Sequence, residues 1–276
     1  MSIVVSTVET AQEVMPMLAA PNSRVMAGGT TFVNPDVELH LVDISGIEGM
    51  DTIRQRGTKV EIGTLASLES LASSMLIRAC APELAEAAEN AGTEDSRSRG
   101  TIGGGICFPK VGDVVPALLA LNAMITMRTD TDFREVNIDR LFPGANGIAL
   151  SFDEWITKIT FPYKPGENTG GAFAKLGEWT PADESVPTAA AVHMTLDSNK
   201  KITAVRGGIR PGTGRAARMF PLEKALKNKT ASESLFAEAA AAQARVSCPE
   251  NADEVSGMLI DILRRCVLMT EREEAI

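Results

Sequence analysis

The chain has 276 residues, 44% of them apolar, and its 36 acidic side chains against 27 basic ones give a formal net charge of −9. That balance excludes the basic face that nucleic-acid binding requires and disfavours an anionic membrane surface. No apolar run approaches about 18 residues and no charged-then-apolar leader opens the chain, so a cytoplasmic protein without membrane insertion is expected. The four cysteines, Cys80, Cys107, Cys248 and Cys266, form no CxxC pair, and their spacing suits neither zinc nor an iron–sulfur cluster. Only His40 and His193 could serve a His-based metal site or a Ser/His/Asp triad, so no metal and no classical acid–base residue are expected.

In chain order, Thr7 is expected to cap a helix to about Ala19, with Val14, Met15 and Leu18 as its apolar stripe. "RVMAGG" reads as a strand ending in a turn and "LHLVDIS" (39–45) as a buried strand. Together these make residues 1–50 a small α/β unit. Residues 51–165 form a second unit. There "TKVEIGT" (58–64) alternates as a strand, and Ser67–Arg78 reads as one helix. Residues 81–92 read as another helix, with Pro82 in its first turn and Gly92 at its end. "VVPALLALNAMITMRT" passes from helix to strand, "EVNIDRLFPG" reads as a short helix and "EWITKITFP" as a strand.

Pro162, Pro165 and Gly166 mark a linker, and 166–276 changes character. "AAAVHMTLDSNKKITAVRGGI" has a hairpin pattern turning at "DSNKK". "SESLFAEAAAAQARV" reads as an Ala-rich helix. "DEVSGMLIDILRRCVLMTER" is amphipathic, with Val255, Leu259, Ile262, Leu263, Cys266 and Val267 on one face.

Two stretches carry the remaining signal: "VMAGGTTFVNP" (25–35) and "TIGGGICFPKVGD" (101–113). Glycine lets a backbone approach a ligand closely. Successive N–H groups in such a turn make a concave anion site, and threonine hydroxyls add donors. Two loops of this kind could grip a diphosphate without many lysines, although for either loop alone a purely conformational role stays open. Neither fits GxGxxG or GxxxxGK[ST], which disfavours a Rossmann or P-loop fold.

The ordered set "AGGTT", "LVDIS", "VEIGTLASL", "PELAEAAENAG", "RGTIGGGI", Asp113 before "VVPALLALNA", "ITKITFP", "GAFAKLG" and "GGIRPGTGRA" resembles the FAD-binding medium subunits of the molybdenum hydroxylases, a family of the xanthine, carbon monoxide and nicotinate dehydrogenase type. The resemblance implies an α+β chain. It would have a two-subdomain FAD-binding fold (vanillyl-alcohol-oxidase/PCMH type), followed by a C-terminal α+β domain with a small antiparallel sheet and helices. It implies a first FAD loop at Val25, Met26, Ala27, Gly28, Gly29, Thr30, Thr31 and Phe32. The second loop falls at Thr101, Ile102, Gly103, Gly104 and Gly105. Asp113 falls at an aspartate toward the cofactor's polyhydroxyl region, Ile156 at an apolar contact, and Lys175 at a lysine near the flavin. On local grounds Asp113 also reads as a helix N-cap, Lys175 as a solvated strand residue and Ile156 as core.

The implied role is electron transfer by an FAD-dependent oxidoreductase subunit. A large molybdopterin subunit and a small 2Fe-2S subunit would be its partners, and NAD+ or another compound the acceptor. Gly105 stands where the family pattern has Asn, and "LGEWTPADES" lacks the Arg that often follows the lysine. A stand-alone flavin reductase on the same fold and a non-flavin assembly protein are the alternative readings.

Overall fold

The computed structural model describes residues 3–30, 38–108, 112–142, 148–177, 186–212 and 215–273. The first sheet is parallel, with strands β1 (Ile3–Thr7), β2 (Ser23–Met26) and β3 (Leu39–Asp43) in the order β1-β3-β2. Helix α1 (Ala11–Leu18) starts later than the sequence suggests. Ile3–Thr7 pairs along Leu39–Asp43, and Val8 N–H still donates to Asp43 O at 3.0 Å, so the ladder claims Thr7. Thr10 caps instead: Glu13 Oε2 accepts from the N–H groups of Glu9 and Thr10 at 2.9 and 3.1 Å, half of a capping box. The expected stripe of Val14, Met15 and Leu18 is buried, and packs with Val42 and Ile44 against Trp155. His40 is an ordinary strand residue, its ring held between Ser23 Oγ and Ser6 Oγ.

The second sheet is antiparallel. Its strands are β4 (Ile53–Arg56), β5 (Lys59–Gly63), β6 (Met124–Arg128), β7 (Phe133–Asn137) and β8 (Trp155–Pro162), in the order β4-β5-β8-β6-β7. Its helices are α2 (Leu68–Ser73), α3 (Met75–Cys80), α4 (Pro82–Glu89), α5 (Glu94–Arg99), α6 (Ile102–Cys107) and α7 (Val114–Ala120). The single helix expected over Ser67–Arg78 is two. Ser74 leaves helical dihedrals at φ −66°, ψ 118°, and its hydroxyl caps the next helix by accepting from Ile77 N–H at 3.3 Å. A serine that can hydrogen-bond its local backbone offers the chain that alternative. "EVNIDRLFPG" divides likewise: Glu135–Asn137 ends β7, and only Ile138–Arg140 turns, as a 3₁₀ segment. Val115, Leu118 and Leu119 of α7 share one core with Ile62, Ile125 and Ile159 of the sheet.

The third sheet is antiparallel in the order β12-β11-β10-β9, from β9 (Thr169–Leu176), β10 (Thr188–Leu196), β11 (Ile202–Arg210) and β12 (Ala217–Arg218). The hairpin turns where "DSNKK" suggested. Strand alternation sends side chains to two faces. Ala190, Val192 and Met194 meet the helices α8 (Phe220–Leu226), α9 (Glu233–Ser247) and α10 (Ala252–Glu273), whereas Phe173, Ala189 and Ala191 join the core around α4 and α7. Val255, Leu259, Ile262, Leu263 and Cys266 of α10 are fully buried, and Val267 is partly so at the rim. Each buried aliphatic side chain of this kind contributes about 1.5–3 kcal/mol. Among the described residues no helix is long and apolar enough to cross a membrane.

Candidate flavin site

The first glycine loop leaves β2 at Met26 and runs against the end of α5. A Cβ added to Gly28 would stand 1.6 Å from Arg99 O, so that position requires glycine, and Gly29, at φ +63°, sits where glycine is favoured. The main-chain N–H groups of Ala27, Gly28, Gly29 and Thr30 donate to no described residue. Four consecutive donors at a strand end with no acceptor among the described residues make the kind of arrangement that receives an anion. Val25 and Met26 lie in β2 as its last two residues. Thr31 and Phe32 lie outside the described residues.

The second loop is not an open turn. Thr101 caps the short helix α6, accepting from Gly104 N–H at 3.1 Å. Ile102 N–H donates to Ala66 O and Gly103 N–H to Thr64 O, both at 3.0 Å, and Gly105 N–H to Thr101 O at 2.9 Å. The expected row of donors at Ile102–Gly105 is therefore spent inside the protein, and of this loop only Thr101 N–H finds no described acceptor. The glycines serve packing: a Cβ on Gly103 would meet Thr64 Oγ1 at 2.0 Å.

Close approach of Gly28 to Arg99 brings the two loops onto one cleft of about 470 Å³. Ala27, Gly28, Leu65, Ser67, Ser98, Arg99, Thr101 and residues 45–49 line it. Glu48 and Asp51 also face it, and their carboxylates suit hydroxyl groups rather than phosphate. The cradle has amides and hydroxyls that suit a diphosphate and polar acceptors for a ribose, whereas the guanidinium of Arg99 is paired with Asp95.

Asp113 occupies the N-cap position of α7, yet its side chain makes no cap bond. Its carboxylate instead accepts from Arg210 Nη2 at 2.6 Å and from Lys175 Nζ at 3.2 Å. Asp113 is 6% exposed and Arg210 2%. Burial pushes the Arg210 guanidinium down from its ordinary pKa, and Asp113 opposes that shift. Lys175 also donates to Asn90 O at 2.5 Å, so it is a paired residue rather than a solvated one. Gly112 ties this cluster to the second loop, because a Cβ there would meet Gly105 O at 2.2 Å. Ile156 is 4% exposed in the main core and is not among the cleft-lining residues.

Sequence reasoning missed Arg210. Counting back from the "DSNKK" hairpin would have found it, since Ala189 pairs with Arg210 on one side and Lys175 on the other.

Residues 2–164 match the family model of the FAD binding domain in molybdopterin dehydrogenase. The chain belongs to the FAD-binding medium subunits of the molybdenum hydroxylases. It is 25% identical over 259 residues to the nicotine 6-hydroxylase medium subunit of Paenarthrobacter nicotinovorans, covering 90% of this chain and 89% of the relative. It is 33% identical over 174 residues to the carbon monoxide dehydrogenase medium chain of Hydrogenophaga pseudoflava, covering 58% of this chain and 59% of that one. The fold matches a chain of the reconstituted CO dehydrogenase from Oligotropha carboxidovorans with TM-score 0.85, over 98% of each chain at 23% identity. This medium subunit is thus an α+β member of a flavoprotein oxidoreductase family. Among its described residues no cluster of His, Cys, Asp and Glu could hold a metal ion.

Proposed function

We propose that this medium subunit holds FAD across the cleft and relays electrons within a molybdenum hydroxylase complex. The observation that carries the reading is the run of four N–H groups, Ala27 to Thr30, with no described acceptor beside the cleft. They would receive the pyrophosphate, with Thr101 N–H adding a donor from the second loop. Glu48 and Asp51 would accept from ribose hydroxyls. Asp113 and Lys175 would meet the polyhydroxyl chain and the flavin ring, with Ile156 backing the site from the core. Bound FAD supplies the exchange of electrons; the chain binds and orients it and sets the local charge.

Electrons would come from the 2Fe-2S clusters of a small subunit, themselves fed by a molybdopterin subunit, and leave to NAD+ or another acceptor. The working division is 1–50 and 51–165 for cofactor binding and 166–276 for the C-terminal domain, in a cytoplasmic complex. Titration of the purified chain with FAD tests the reading. Stoichiometric uptake, with quenching of flavin fluorescence and a yellow protein, is the expected outcome. A folded chain that takes up no FAD overturns it. Reduction of the bound flavin by NADH then decides whether NAD+ is the acceptor.

A further inference from the structure

We propose that a second pocket of this subunit, distinct from the flavin cleft, binds a small planar aromatic carboxylate through Arg128 and Phe133. The pocket holds about 390 Å³ and is lined by residues of all five strands of the second sheet. Among the described lining residues it shares only Gly49 with the cleft. Its size is at the small end for ligand sites and suits one ring with its carboxylate. Two pieces of backbone frame it. The 49–52 segment closes on β5: Gly63 N–H donates to Thr52 O at 2.9 Å, and a Cβ on Gly63 would meet Met50 O at 2.1 Å. The hairpin of β6 and β7 sets Arg128 directly opposite Phe133. Residues opposite one another across strands share a face, and both of these side chains line the pocket.

The charged lining groups differ in what they already hold. Glu61 is shared by Arg54 at 3.0 Å and by Arg56 and Lys158, both at 3.9 Å. Glu135 Oε1 accepts from Thr126 Oγ1 at 3.3 Å. Arg128 is partly buried and has no hydrogen bond or ion pair among the described residues. Its planar guanidinium fits a carboxylate through two parallel bonds. Phe133 lines the pocket while 67% exposed, and its main chain is fixed. Its N–H donates to Asp132 Oδ1 at 2.8 Å, and Thr129 N–H closes the turn on Asp132 O at 2.9 Å. A flat ring laid on Phe133 gains offset stacking that an aliphatic ring lacks. An unpaired guanidinium beside an uncovered aromatic ring matches a ligand with one charged end and a flat body. Glu61 and Glu135 disfavour a more highly charged anion such as phosphate, because like charges repel.

The test is a titration of the full chain with benzoate, with and without FAD, followed by amide-resolved NMR. Saturable shifts of the Arg128 and Phe133 signals are expected in both cases. Benzamide, which keeps the ring and loses the charge, should bind roughly tenfold more weakly, the scale of a charge-assisted hydrogen bond. Cyclohexanecarboxylate, which keeps the charge and loses the aromatic ring, should bind about threefold more weakly or worse. Arg128→Gln should weaken benzoate roughly tenfold. Phe133→Leu, the second variant, should abolish the preference for benzoate over cyclohexanecarboxylate. Absence of saturable shifts, equal binding of benzamide and benzoate, or undiminished benzoate binding by Arg128→Gln overturns the proposal. Inorganic phosphate binding as tightly as benzoate overturns it too, since a bare anion ignores Phe133. So does displacement of benzoate by FAD, which would make the pocket part of the flavin site.

Discussion

In residues 27–30 four successive N–H groups meet no described acceptor, whereas in 102–105 the corresponding groups close on Ala66, Thr64 and Thr101. Both stretches read as "GG" beside threonine. They differ because Ala27–Thr30 follows a strand end over a cleft, while Ile102–Cys107 is wound into a helix pinned to 64–66. A glycine pair shows where a backbone comes close to something. Only an accounting of its donors shows whether that something is protein or ligand. Here the donors of the first loop meet no acceptor among the described residues, and the second loop packs against it through the contact of Gly28 with Arg99.

Breaking that contact is the harshest test of the difference. Gly28→Ala places a methyl 1.6 Å from a carbonyl oxygen and must force the loops apart. FAD affinity measured by fluorescence quenching is expected to fall roughly a hundredfold or more, equivalent to about 3 kcal/mol.

A titration remote from both loops supplies the next contrast. His193 on β10 pairs with Glu83 of α4 at 2.8 Å. Burial opposes its charge, but the Glu83 carboxylate outweighs that and raises the imidazole pKa above its ordinary value. A pKa raised on folding gives stability that is fully present below the ordinary value and lost as pH rises through the raised one. The drop in melting temperature caused by His193→Gln should therefore be larger at about pH 5.5 than at about pH 9. FAD affinity, resting on amides that do not titrate, should stay nearly flat over that range. An equal drop at both pH values would discard the charged pair.

Removing the cap of the second loop is a milder change. Thr101→Val should cost about 1 kcal/mol of folding stability in urea unfolding, as loss of an N-cap oxygen does. Its effect on FAD affinity should be far below that of Gly28→Ala. The smallest effect is expected for Gly104→Ala, whose Cβ would meet only its own cap hydroxyl, at 3.2 Å. Helix propensity favours alanine there by up to about 1 kcal/mol, offsetting the tight contact. FAD affinity within about threefold of wild type is the expected result. A loss as large as that of Gly28→Ala would show that the two loops serve the ligand equally.

The sequence by itself left the strands at 3–7, 53–56, 133–137 and 169–176 unread. It determined the strands of "RVMAGG", "LHLVDIS", "TKVEIGT", "MITMRT" and "EWITKITFP", the hairpin, the buried face of α10 and the place of both glycine loops. These rest on period-two and period-3.6 patterns and on local turn chemistry, which act over a few residues. Tertiary structure decided where α1 begins, because a parallel ladder with Leu39–Asp43 outcompeted Thr7 as a cap. It decided that the amides of Ile102 and Gly103 are consumed, because their acceptors lie some forty residues upstream, at Ala66 and Thr64. It also decided that Asp113 binds Arg210 and Lys175 rather than capping α7. Partners 62 and 97 residues apart along the chain meet only when strand register aligns them, and no local pattern encodes that meeting.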